Sequence, residues 1–135
     1  MMNFKHIFIL FIVVILSSVI ALFIRNRIES NYKAELRFDV LKYDFDTLTN
    51  EFDSEYYFVY QNIGNKPMRI IDIKTSCGCT IPYWNPGELA PFEKDSFKVT
   101  YNYEIKGYFM KEIMVYSNSE TSPDRLEILG YVPFE

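Results

Sequence analysis

Hydrophobic and polar positions along this chain follow two regimes. From Ile7 to Ile24 the sequence runs through 18 residues with no charge, and from Leu36 onward apolar and polar residues alternate with a period of two. A helix over the first run spans about 27 Å at 1.5 Å per residue, close to the roughly 30 Å of a bilayer's hydrocarbon layer. A cleaved signal peptide is the other reading. Its apolar core usually covers about 7–15 residues; this one is longer and stays apolar at Leu22, Phe23 and Ile24, after Ala21, the one position suited to cleavage. The expected organisation is an N-terminal membrane anchor (or signal peptide) over 1–28, a polar stalk over 29–35, and a domain over 36–135.

Within the domain, "ELRFDVLKY" alternates Leu36, Phe38 and Val40 with Arg37 and Asp39. "SEYYFVYQN" places Tyr56, Phe58 and Tyr60 on one face and Tyr57, Val59 and Gln61 on the other, and "SFKVTYNY" does the same with Phe97, Val99, Tyr101 and Tyr103 against Lys98, Thr100 and Asn102. Such alternation is the mark of half-buried strands. In "MRIIDIK" the apolar positions are 68, 70, 71 and 73, a break in phase that predicts a bulge. "NIGNKP" reads as a turn, with Gly64 and Asn65 suited to positive φ and Pro67 unable to donate to a ladder. "FMKEIMVYSN" and "RLEILGYV" complete the set. Strands at intervals of about ten residues, with no helical period after Ile28, predict an all-β fold: an immunoglobulin-like antiparallel β-sandwich of about seven strands, or a small barrel.

Charge narrows the partners. Every acidic residue lies at Glu29 or later; setting aside Lys5, Arg25 and Arg27 leaves 11 basic against 18 acidic side chains, a balance of −7. Nucleic acid and anionic lipid surfaces demand clustered Lys and Arg, so this balance argues against both as partners of the domain. For orientation, a literal count sets Lys5 against Arg25, Arg27, Lys33 and Arg37 and keeps the domain in the cytoplasm. A short tail before a first apolar helix is, in contrast, the usual form of a signal anchor that exports the chain beyond it.

Candidate chemistry centres on "KTSCGCTIPYW", which holds both cysteines, Cys77 and Cys79. In an extended strand their Cα atoms would lie about 6.6 Å apart. A disulfide needs about 5.5–6 Å, so bridging them calls for a bend at Gly78. A ring this small adds little loop-closure entropy. Two thiolates could instead hold copper(I), with Met68, Met110 and Met114 as possible helpers or as core filler. Zinc wants four ligands, and the only histidine is His6, in the apolar segment. Three readings stay open: a structural turn, a thiol-exchange pair, and a metal site at Cys77 and Cys79. The adjoining segment with Thr80, Pro82, Tyr83 and Trp84 reads as an aromatic, proline-bearing loop for a protein partner, or as a lid over the sandwich end. No histidine is available as a general base in the domain and no nucleophile or phosphate-loop motif occurs, so no catalytic residues are expected.

The ordered residues Phe58, Tyr60, Asn62 and Gly64, then Ile70 and Ile73, Ser76-Cys77-Gly78-Cys79-Thr80, Pro82 and Trp84, and finally Gly107, Phe109, Ser117, Asn118, Leu126 and Gly130 resemble the pattern of a bacterial family, domain-of-unknown-function family 1573. The resemblance implies an immunoglobulin-like sandwich akin to the major-sperm-protein and pilus-chaperone folds, in an exported cell-envelope setting. One departure is Pro91-Phe92, where the family often has Pro-Gly. Together these readings predict a single-pass inner-membrane protein anchored through Ile7 to Ile24, its domain facing the periplasm or outside. It is expected to bind or scaffold a protein partner in the envelope without catalysis, to use no cofactor and to bind no nucleic acid. The alternative is a copper(I)-binding or disulfide-exchange role through Cys77 and Cys79.

Overall fold

A computed structural model describes residues 3–30, 32–78 and 80–134 (for Glu29, Ser30 and Ile81 the backbone only). The chain forms two compact units, residues 1–32 and 33–135. The first holds one helix, α1 (Phe4–Ser30), whose stretch Phe4–Ile28 is long and apolar enough to cross a membrane. The second holds eight strands: β1 (Leu36–Phe38), β2 (Lys42–Thr47), β3 (Glu55–Asn62), β4 (Ile70–Thr75), β5 (Thr80–Tyr83), β6 (Lys94–Tyr101), β7 (Gly107–Ser117) and β8 (Asp124–Val132). The segment 29–35, expected as a polar stalk, is divided. The helix continues to Ser30, Asn31 lies outside the described residues, and Ala34 is already buried in the domain.

The strands make two four-stranded sheets, in the orders β1-β3-β6-β5 and β2-β8-β7-β4. This is the immunoglobulin arrangement with its first strand shared between sheets. Eight strands arise from the six segments read as strands because "ELRFDVLKY" is not one strand and because Thr80–Tyr83, expected as a loop, is one. Asp39 donates its N–H to Val59 in the first sheet at 3.1 Å, and two residues later the Leu41 carbonyl accepts from Glu127 in the second at 2.9 Å. Val40, expected inside, sits on this crossing and is exposed. The chain crosses without reversing, so β2 pairs with β8 in parallel, which corrects the expectation of a wholly antiparallel sandwich.

Elsewhere the alternation is obeyed. Phe58 and Tyr60 of β3, Phe97, Val99 and Tyr101 of β6, Ile113 and Val115 of β7, and Leu126, Ile128 and Val132 of β8 fill the space between the sheets. The bulge expected in β4 is present. Between Ile70 and Asp72 the register slips against Ser117 and Tyr116, leaving Ile71 turned outward while Ile70 and Ile73 are buried. In the register Gly130 lies opposite Phe109; a Cβ at 130 would meet the Phe109 ring at 2.8 Å, so this glycine makes room for a core aromatic that also stacks on Tyr101.

One end of the sandwich is closed by Asn62 and Gly64. The buried Asn62 side chain donates to the carbonyls of Lys66 (2.8 Å) and Leu89 (3.1 Å) and accepts from the N–H of Gly64 (3.0 Å). The segment 33–35 is laid across this turn: Ile63 donates to Glu35 O, Asn65 and Lys66 to Lys33 O, and Lys33 to Asn65 Oδ1. Gly64 is therefore needed for contact and not for positive φ, the role expected for it. A Cβ there would fall 2.3 Å from Lys33 O and 2.7 Å from Glu35 N. At this end of the sandwich the left-handed residue is Phe92 at φ 68°, in a turn closed by Glu93 N–H to Ala90 O at 3.2 Å. The turn thus has the shape that glycine favours, with a phenylalanine in place.

Two changes test these close contacts through stability. Gly64→Ala forces two backbones apart and should destabilise by about 1–3 kcal/mol, the usual range for overpacking. Phe92→Gly removes about 1–2 kcal/mol of left-handed strain against about 0.5–1 kcal/mol of added unfolded-state freedom, so it should stabilise slightly. Thermal melts of both variants check this; a Phe92→Gly protein that melts lower than the parent contradicts the assignment.

Candidate functional site

The cysteine segment forms the corner where the chain leaves the second sheet at β4 and enters the first at β5, at the opposite end of the sandwich from Asn62. Ser76 prolongs β4 by exchanging hydrogen bonds with Glu112: its N–H donates to Glu112 O at 3.0 Å and its Oγ accepts from Glu112 N at 3.2 Å. The Thr75 hydroxyl, 2.7 Å from the Cys77 carbonyl and 3.2 Å from that of Thr80, spans the mouth of the corner. Cys77 is half-buried, packs against the core and is engaged in a disulfide. Cys79, the only other cysteine of the sequence, lies outside the described residues.

Gly78 has neither role that a bend would require. Its φ is not positive, and apart from its chain neighbours a Cβ added there would meet no atom of the described residues within 4 Å. What it does is line a cleft of about 240 Å³ with Thr100, Tyr101, Asn102 and Tyr103. A disulfide sulfur is no thiolate, so Cys77 in this state offers no ligand to a soft metal. The methionines are not gathered round it either. Met68 is buried at the far end of β4, and Met110 and Met114 stand on outward positions of β7. Among the described residues no group of three or more His, Cys, Asp or Glu is placed to hold a metal ion.

The segment expected as a recognition loop is an edge strand. Thr80–Tyr83 pairs with β6 along Tyr101 to Lys98. Thr80 is buried and Pro82 half-buried. Trp84 is half-buried against the core with its indole N–H enclosed, so it does not project. Among the described side chains of this segment only Tyr83 projects, with 75% of its surface exposed.

The register explains what Tyr83 joins. Tyr83 lies opposite Lys98, and Lys98 opposite Tyr57, so the two tyrosines flank one lysine on the outer face of the first sheet. With Trp84, Asn85 and Ser96 they bound a groove of about 320 Å³. The Glu55 carboxylate accepts from Lys98 Nζ at 2.8 Å and holds that ammonium above its usual range. Tyr57, Ser96 and Lys98 were readable as outward strand positions. Their meeting with Tyr83 was not, because it depends on β5 being a strand.

Comparison with known proteins fits this architecture. No curated protein matches the sequence. Among solved structures, a protein of unknown function from Porphyromonas gingivalis W83 superposes with a TM-score of 0.65 at 11% identity, over 75% of this chain and 48% of that one. The periplasmic chaperone SfaE gives 0.57 at 6% identity, over 73% and 58%. The ASH / PapD-like domain of human CEP192 gives 0.61 at 12% identity, over 78% and 88%. This chain thus spans about half the length of the first two, and identities so low establish a shared fold alone. The sequence profile of the proteins of unknown function called DUF1573 matches residues 36–132, and the chain belongs to that family.

Proposed function

We propose that this protein is a membrane-anchored, non-catalytic binding module. Its immunoglobulin-like domain engages a protein partner in the cell envelope through the aromatic groove on its first sheet. The observation that carries this reading is the Tyr57–Lys98–Tyr83 row. Tyr57 is 54% and Tyr83 75% exposed, an exposure that water does not favour for large rings. Tyrosines of this kind, flanking a cation already fixed by Glu55, are typical interface anchors. The neighbouring β5 edge, four residues long and interrupted by Pro82, is poorly suited to accept an added strand, so side chains rather than backbone supply the recognition. The uncharged stretch Ile7 to Ile24 of α1 supports insertion, and export to the periplasmic side is what the resemblance to the family implies. That the chaperone SfaE is periplasmic accords with this reading.

A photo-crosslinking residue placed at Tyr83 or Tyr57 in the full chain tests the proposal in cells. Discrete protein adducts are expected from both positions, recovered with the membrane fraction and containing the uncleaved chain of 16.1 kDa. The same residue at exposed Val40 should give none. Adducts of equal yield at Val40, or none at the tyrosines, would sink the groove as a binding face.

A thiol-exchange role is the second reading. The Cys77 disulfide beside an open, Gly78-lined cleft favours it, since an incoming thiolate needs access to sulfur. A bridge from Cys77 to Cys79 closes a very short ring, so its removal should cost only about 1.5 kcal/mol by the loop-entropy rule. The copper(I) reading belongs to the reduced protein, in which both sulfurs are free. Replacing both cysteines with serine is expected to leave the fold and the crosslinks intact. Loss of an exchange activity or of bound copper from the reduced chain, with the fold kept, would transfer the function to the cysteines.

A further inference from the structure

The outer face of the second sheet carries a separate feature. Near the end where the cysteine corner lies, Tyr108 of β7 stands opposite Tyr131 of β8, and Met110 opposite Leu129. The two tyrosine rings are 4.5 Å apart, and Tyr108 and Met110 are 90% and 64% exposed. Along the neighbouring strand, Asp44 sits opposite Leu129 and Thr47 opposite Tyr131, with a bulge between Asp44 and Thr47. Asp46 occupies that bulge in the left-handed conformation, φ 54°. Together these side chains bound a cleft of about 280 Å³. It has an apolar, aromatic floor and two carboxylates along one rim.

The charges on this face do not balance locally. Lys42 pairs with Glu127, Arg125 with Glu112 and Glu127, and Lys74 with Asp72. One Asp44 oxygen accepts the Asp46 N–H at 2.8 Å. The other Asp44 oxygen and the whole Asp46 carboxylate have no hydrogen-bond or ion-pair partner among the described residues. Lys42, Lys74 and Arg125 are therefore engaged elsewhere, and the uncompensated charge is negative and gathered on the rim of the apolar cleft.

We infer that this cleft docks an arginine-bearing segment of a partner protein. An arginine has an aliphatic stem to lie on Met110 and Leu129, a flat guanidinium to stack on Tyr108, and a fork of donors matched to carboxylate oxygens. At about 280 Å³ the cleft has room for one long side chain laid along its floor. The surface lies on the opposite sheet from the Tyr57–Tyr83 groove and does not depend on it: each can fail alone.

Backbone-amide NMR of the full chain in uncharged maltoside micelles, titrated with the capped peptide Gly-Arg-Gly-Arg-Gly, tests the inference. Shifts are expected at 44–47, 108–110 and 129–131. The same peptide with glutamate for arginine should produce none. The double variant Asp44→Asn with Asp46→Asn should weaken binding by about tenfold or more. Its melting temperature should stay unchanged, because Asn retains the turn's acceptor and tolerates the left-handed conformation. Tyr108→Ser, at a nearly fully exposed site, should weaken binding by about threefold or more at the cation–π magnitude. Affinity should also fall as salt rises. Binding of the glutamate peptide, affinity of the asparagine variant within about twofold of the parent, or shifts confined to the Tyr57–Tyr83 face would overturn it.

Discussion

Burial of the Asn62 side chain is the interaction on which the rest of the domain leans. A primary amide enclosed without partners costs several kcal/mol, so it persists only where backbone groups meet it. Here they come from two directions: the turn after β3, through Gly64 and Lys66, and the segment after β5, through Leu89. Asn62 also accepts the Phe92 N–H through its carbonyl and donates its own N–H to Glu93. One residue thereby ties the end of β3 to the approach to β6. Because Gly64 has no side chain, the segment 33–35 can lie over the same turn. Leu36 then enters β1 in register with Asn62. A sandwich closed in this way needs no bridge between its sheets.

The same logic explains why the residues on which the sequence resemblance rests speak of fold and say little about activity. Phe58, Ile70, Ile73 and Leu126 are core. Gly130 yields space to Phe109. Asn118 accepts from Arg69 N–H and donates to the Pro67 carbonyl, clasping the start of β4 to the end of β7. Each of these side chains faces inward or into a backbone joint. A pattern built from such positions reports architecture. The side chains that a partner would touch stand on the outer faces, which the packing does not constrain.

How much of this was legible in the sequence depends on the range of the interaction. The phases of β3, β6, β7 and β8, and the bulge at Ile71, are local facts of alternation and could be read directly. The switch at Asp39 to Leu41 could not be read. Alternation continues through Val40, and only the competition between Val59 and Glu127 as backbone partners shows that two sheets are involved. β5 was missed because four residues with a proline inside carry no usable period; its strand character comes from β6 lying beside it. Gly64 was read for the wrong reason, since its neighbours are about 30 positions back in the chain, at Lys33 to Glu35, beyond the reach of any turn rule. In the candidate groove, Tyr57 and Tyr83 meet only through Lys98, three separate segments that the register alone brings together.

The two outer faces differ in a way that constrains what each can do. On the first sheet the cation at the centre of the groove is already held by Glu55, so a partner finds aromatic surface with its charge satisfied. Contacts there gain from buried area and lose little to desolvation of an unpaired ion. On the second sheet the aromatic floor borders carboxylates that have no ion-pair partner among the described residues, and a partner lacking a cation would have to strip water from them without recompense. Apolar exposure is thus similar on the two faces, but the penalty for a wrong partner is larger on the second. Selectivity by charge should accordingly reside in the face that carries Asp44 and Asp46, and general adhesive area in the face that carries Tyr57 and Tyr83.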